Sequence, residues 1–196
     1  MGLALKGRPH LKYDILYLMF ISEIQGDDIR LKRPLVQRDA PLSVEWLRGE
    51  EGRKSLLFMG VPEEDITEPT LEAEQTRIQS FLDRKDQLNW MIEYKNRVVG
   101  AIWVDLEPTE YVKAPTPHIM IGDISARGRG VGSQAMKLVI QYLFSQGHDA
   151  VYTRCKPSNT AVMRMNAKLG FQKDGEEYID TDGITWQNVV IKRGRM

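Results

Sequence analysis

Residues 119–136, IMIGDISARGRGVGSQAM, constrain this 196-residue chain more than any other stretch. A short apolar run, His118 to Gly122, reads as a strand. It enters a turn bearing Gly128, Gly130 and Gly132. A helical period starts at once and runs over about 131–146, with Val131, Ala135, Leu138, Val139, Tyr142 and Leu143 on one face. Glycines permit positive φ and let a ligand approach the main chain. The free N–H groups and dipole of the following helix start favour an anion, by about 1 kcal/mol per charge. Arg127 and Arg129 add positive charge. Such a turn suits a ligand carrying a phosphate or pyrophosphate.

Three glycine-loop patterns compete. A Walker loop needs a lysine after the last glycine, and none follows here. A dinucleotide fingerprint needs G-x-G-x-x-G after the first strand, whereas this spacing is G-x-G-x-G and lies late in the chain. The third is R/Q-x-x-G-x-G/A, present as Arg127 to Gly132. A plain glycine turn is the bland alternative.

Elements alternate along the rest of the chain. Phe20–Ile24 and Ile29–Pro34 read as strands around a turn-rich break. Asp39 is placed as the N-cap of a helix with Pro41 in its first turn. Residues 49–70 read as a long polar connection, and 71–84 as a helix. Leu88–Tyr94 and Arg97–Leu106 form a hairpin joined by Lys95-Asn96, and 107–117 form a proline-rich loop. Ala150–Cys155 reads as a strand and Ser158–Leu169 as a helix ending at Gly170. Gln172–Ile179 and Ile184–Lys192 close the chain as a hairpin. Residues 1–18 lack periodicity and read as a leader or extension, or else one short extra element, leaving a single domain over 19–196. The order argues a mixed α/β domain.

Composition bounds the function. Lys+Arg and Asp+Glu balance at 27 each, so no global field collects nucleic acid or an anionic membrane. The apolar run Ile15–Ile21 is too short to cross a bilayer, and acids rather than a cleavage site follow it. Cys155 is the single cysteine, so no internal disulfide forms, which fits a reducing cytoplasm. Cys155 and the three histidines lack metal-ligand spacing, so no metal is expected.

A second segment, PSNTAVMRMNAKLGF at 157–171, follows the glycine turn after one more strand. With both motifs in order, the sequence resembles the GCN5-related N-acetyltransferase (GNAT) superfamily over about residues 28–192. IRLKRPLVQRDAPLSVEWL at 29–47 and GEEYIDTDGITWQNVVIKR at 175–193 are similar to the branch of ribosomal-protein N-terminal acetyltransferases and aminoglycoside 6′-acetyltransferases.

The resemblance implies a central, mostly antiparallel sheet of about seven strands, splayed at the cofactor cleft and flanked by about four helices. It implies acetyl-CoA as co-substrate. The N–H groups of Arg127, Gly128, Arg129, Gly130, Val131, Gly132 and Ser133 would hold the pyrophosphate. Ile119, Met120 and Ile121 would pair with the pantetheine arm, and Asn159 would hydrogen-bond the cofactor. Many relatives carry a tyrosine two residues before the lysine of the KLGF-like end, which can protonate the leaving thiolate. Asn166 stands there and can hydrogen-bond, but it cannot act as that acid. The implied acceptor is a small-molecule or peptide amine, and a homodimer is compatible with the family. The contrasting class is an acyl-CoA-binding sensor without turnover.

Attack on a thioester needs a neutral amine, so a base that works near neutrality would serve. His118 begins the strand leading into the glycine turn, where several relatives carry a catalytic acid or base; a surface histidine beside Pro117 is the alternative. Asp123 lies beside the turn and either acts or caps it. Asp105 and Glu107 end the neighbouring strand, facing the same cleft or solvated on a loop. A strand N–H near Ile121 is the natural oxyanion donor. Glu63, Glu64, Asp65, Glu68, Glu72 and Glu74 would attract a cationic amine or simply form a solvated helix start. Trp46, Trp90, Trp103 and Trp186 read as core, and Cys155 as a buried small hydrophobe.

Overall fold

The computed structural model describes residues 23–194. The expected leader, and most of the strand expected over 20–24, lie outside the described residues. Five strands form one antiparallel sheet in the order β1-β2-β3-β4-β5: β1 (Glu23–Gln25), β2 (Ile29–Lys32), β3 (Gln87–Tyr94), β4 (Arg97–Asp105) and β5 (Thr116–Ile121). A second sheet holds β6 (Ala150–Cys155), β9 (Thr185–Lys192) and β7 (Gln172–Lys173), with β8 (Tyr178–Ile179) also paired to β9. Five helices complete the described residues: α1 (Val36–Leu47), α2 (Gly49–Met59), α3 (Leu71–Asp83), α4 (Val131–Ser145) and α5 (Thr160–Leu169). The class is as expected. The splay expected at the cleft divides the strands into two sheets, and the described residues hold nine strands and five α-helices where about seven and about four were expected.

Helices cover both faces of the first sheet, which explains why β3 is buried on nearly every residue instead of alternating. Helix α4 lays Val131, Ala135, Met136, Val139, Ile140 and Leu143 on one face, against Ile29, Leu31, Ile92 and Ile102 of the first sheet and Val151 and Ile191 of the second. Each fully buried aliphatic side chain contributes about 1.5–3 kcal/mol. The opposite face carries α1 and α3, packed against each other. At the β3–β4 turn, Lys95 and Asn96 both take positive φ, +50° and +59°, as a two-residue hairpin matching the strand twist requires.

Three local expectations are corrected. Helix α1 begins at Val36, not at Asp39. The Asp39 carboxylate is fully buried and reaches back to accept the Leu35 N–H at 2.7 Å, while Arg38 clamps it at 2.6 Å. The polar stretch 49–70 contains helix α2, whose early Glu50 and Glu51 suit the positive end of the helix. The expected strand 172–179 is interrupted around Gly175 (φ +87°) and divided into β7 and β8.

Parallel neighbours β5 and β6 create the opening that matters. Tyr152 N–H donates to Pro115 O at 3.0 Å, and Thr153 Oγ1 donates to Pro117 O at 3.0 Å. Beyond these bonds no ladder joins the two strands among the described residues.

Candidate active site

The gap between β5 and β6 is a cleft of about 600 Å³. Its floor is β5 from Pro117 to Ile121, and its mouth is the glycine turn with the first turn of α4. Gly128 and Gly130 have φ of +72° and +80°, a region that an L side chain rarely adopts. Gly132 is helical instead. A Cβ there would lie 3.6–3.7 Å from Ile121, Met165 and Ile119, filling the cradle without forcing the backbone. From Gly128 to Ser133, the N–H groups donate no hydrogen bond among the described residues, as expected of a turn and helix start awaiting an anion. The Arg127 N–H differs, because it donates to Ile124 O at 3.1 Å.

The two arginine side chains turn away from their expected role. Arg127 Nε donates to Ile121 O at 2.9 Å, and its other nitrogens meet Glu51 at 2.9 Å and Ser55 at 3.1 Å on α2. Arg127 therefore ties α2 to the end of β5, with its charge matched. Arg129 folds back on Ser125 O at 2.7 Å. The anion site rests on main-chain donors more than on guanidinium charge.

His118 lines the cleft, and its Nε2 lies 2.9 Å from Asp105 Oδ2. Gln87 Nε2 donates to the other Asp105 oxygen at 2.6 Å. Burial pushes the Asp105 carboxyl up. The hydrogen bonds from His118 and Gln87, with the charges of His118 and Arg84, outweigh it and hold the carboxyl below its ordinary value. An ionised Asp105 accepts from Nε2–H, which leaves the lone pair of a neutral His118 on Nδ1. The ring stacks on Trp103, its cross-strand partner, at 5.4 Å and 14°, and Trp103 stacks on Phe81 of α3 at 6.1 Å.

Asp123 is placed differently. It accepts from both the N–H and the hydroxyl of Ser125, at 2.8 and 2.6 Å, and pairs with Arg97 at 2.9 Å. The Ser125 bonds chiefly hold its carboxyl below the ordinary range against its partial burial. It caps the turn and does not line the cleft. Glu107 is exposed on the loop after β4.

Helix α5 forms the far wall. Asn159 is its N-cap and accepts from Val162 N at 3.3 Å. Asn166 is 2% exposed; its Nδ2 lies 3.8 Å from Cys155 Sγ, and its buried Oδ1 has no partner among the described residues. Burial pushes the Cys155 thiol up despite the Asn166 contact. Sequence reasoning missed Ser55, Phe58 and Met59 of α2, which also line the cleft; the apolar end of that helix, Leu56 to Met59, was the available signal. It also missed Trp103 and Trp186 as cleft walls.

A second cavity of about 430 Å³ lies between α1, α2 and α3 and the sheet face carrying Ala101 and Trp103. Met59, Trp103 and Met120 line both spaces. Of the six clustered acids, Asp65, Glu68 and Glu74 line this cavity. Glu74 is buried and held by Ser43 and Arg77, whereas Glu63 pairs with Arg53 at 2.5 Å.

The sequence model of the acetyltransferase (GNAT) family matches residues 55–171. No curated protein sequence matches the chain significantly. Among solved structures, the fold is similar to RimL, a ribosomal L7/L12 alpha-N-protein acetyltransferase in complex with coenzyme A. That likeness has TM-score 0.70 and 16% identity, covering 87% of this chain and 97% of that one. It is also similar to the microcin C7 self-immunity acetyltransferase MccE in complex with acetyl-CoA and AMP (TM-score 0.69, 15% identity, 90% and 99% covered). A third is the aminoglycoside acetyltransferase AAC(6′)-Ib in complex with coenzyme A (TM-score 0.66, 19% identity, 84% and 95% covered).

Proposed function

The chain belongs to the acetyltransferase (GNAT) family, and on that premise we propose that it moves the acetyl group of acetyl-CoA to a primary amine, on a small molecule or a peptide N-terminus, by direct attack in a ternary complex. The observation that carries this reading is the set of undonated N–H groups at Gly128 to Ser133, placed where β5 and β6 part. These residues fit a pyrophosphate with an extended arm lying along β5. Gly132 leaves the space that phosphate oxygens need, and Asn159 stands at the entrance of the same wall.

When bound, acetyl-CoA supplies an activated thioester carbonyl. The chain supplies the rest. Val131, Gly132 and Ser133 hold the anionic end on the first turn of α4. The β5 edge at Ile119 to Ile121 orients the arm and offers a main-chain donor toward the carbonyl oxygen. His118 receives the amine proton on Nδ1, with Asp105 fixing the tautomer and stabilising the cation that forms. Asn166 has no proton to give near neutrality, so the leaving sulfur takes one from solvent.

The test is thiol release from acetyl-CoA with a panel of amines, with the product identified by mass. Release that requires an amine, matched by acetylated amine, supports the reading. Tight acetyl-CoA binding without release on any amine would favour the sensor function instead.

A further inference from the structure

The 430 Å³ cavity beside the cleft has largely apolar walls with aromatic rings among them. We propose that it takes a small monoamine on a flat aromatic body, an arylalkylamine. The inference rests on the acetyl-transfer reading above and names the acceptor class. The volume falls in the range of small-molecule sites, about 300–1,000 Å³. Its walls include the rings of Trp46, Trp103 and Phe81. Trp46 packs so closely on Gly122 that a Cβ there has no room, which fixes the indole as a wall.

Phe81 stacks on Trp103 and Trp103 stacks on His118, so one aromatic ladder runs from the cavity wall to the base. A ring held in the cavity and a short alkyl chain passing Met120 would bring an amine to His118.

Charge selects the sign of the ligand. Asp65 and Glu68 are exposed where the cavity opens, and neither has a cationic partner among the described residues. Among the described residues Arg77 is the only basic one on the wall, and it is bound to Glu74 and Ser43. Positive charge is thus drawn to the opening, and aromatic faces add cation–π attraction of about 0.5–2 kcal/mol.

The walls also say what does not fit. Each sugar hydroxyl or additional ammonium buried there would need its own partner. Glu74 is already engaged. Asn89, the cross-strand partner of Trp103, keeps a buried Oδ1 that accepts no hydrogen bond among the described residues. That acceptor can take one donor from the body of the ligand, while the amine runs on to His118.

The experiment is calorimetry of the whole chain saturated with CoA, titrated with tryptamine, its neutral isostere tryptophol, spermidine, kanamycin and a peptide with N-terminal phenylalanine. Thiol release from acetyl-CoA is run on the same amines. Tryptamine is expected to bind at least about tenfold more tightly than the other four. The Asp65→Asn/Glu68→Gln double variant should weaken tryptamine several-fold and leave tryptophol unchanged. Kanamycin, spermidine or the peptide binding most tightly, or no binding of tryptamine, overturns the inference. If tryptamine binds as expected but no amine releases thiol, the acceptor site stands and the transfer reading falls. If kanamycin is acetylated and tryptamine neither binds nor reacts, transfer stands and the acceptor inference falls.

Discussion

Asp105 Oδ2 lies 2.9 Å from His118 Nε2, a diagonal pairing across the β4–β5 ladder in which Asp105 faces Thr116 and Trp103 faces His118. Neighbouring antiparallel strands hold both groups, so sheet register fixes their separation. A carboxylate in that place orients an imidazole without taking its proton. Gln87 Nε2 occupies the second oxygen of Asp105 and keeps the carboxylate from turning.

The glycine cradle is testable by one residue. Gly132→Ala should fold normally and weaken CoA by about tenfold, because the added Cβ meets only ordinary contacts but narrows the anion site. Gly132→Asp should abolish detectable binding by placing a negative charge among the N–H donors. Calorimetry with CoA, alongside a melting curve for each variant, checks both.

Acid stability should report on Asp105. Its folded-state carboxyl is held below the ordinary 3.8, so its contribution is whole above the unfolded value and is lost as pH falls through the folded one. Asp105→Asn should lower Tm at neutral pH, and the gap to wild type should close as the pH falls below the ordinary carboxylate range. Thermal melts of both proteins across that range test the sign.

Cys155 is 3% exposed and its thiol is pushed up by burial. It should react slowly with a thiol reagent at neutral pH in the native chain, and rapidly in denaturant. A mass-resolved labelling time course checks this, and CoA should slow native labelling further because Cys155 lines the cleft.

The centre of the core lies where α4 meets the sheets. Ile140→Ala should cost about 2–5 kcal/mol, because Ile140 is fully buried among residues of α4 and the strands. Urea unfolding should show a lower midpoint with an unchanged slope.

Much of this was legible in the sequence because it depends on local pattern. The glycines at 128, 130 and 132, the period of α4, the Lys95-Asn96 turn and the stop at Gly170 each appear where the residues put them. Helix α2 was not legible, since Gly49, Gly52 and a charged first half obscure its short apolar end. The N-cap assignment of Asp39 failed because the carboxylate reaches back four residues, a tertiary choice fixed by burial and Arg38. The partnership of Asp105 with His118 depends on strand order and register, which a separation of 13 positions along the chain does not reveal. The parting of β5 and β6 after Pro117 was legible only through the family resemblance, which implied a sheet splayed at the cofactor cleft; no residue at the split marks it.

The most direct measurement is kcat/KM against pH for wild type, His118→Ala and Asp105→Asn, with one amine of known ionisation and acetyl-CoA saturating. Wild type should show a limb that depends on His118, in addition to the limb set by the amine. His118→Ala should lack that limb and lose about 10²–10⁴ in kcat with unchanged acetyl-CoA affinity, while Asp105→Asn keeps the limb at reduced height. Profiles for all three that rise only with the amine's own ionisation, at similar kcat, would contradict the assignment of His118 as the base.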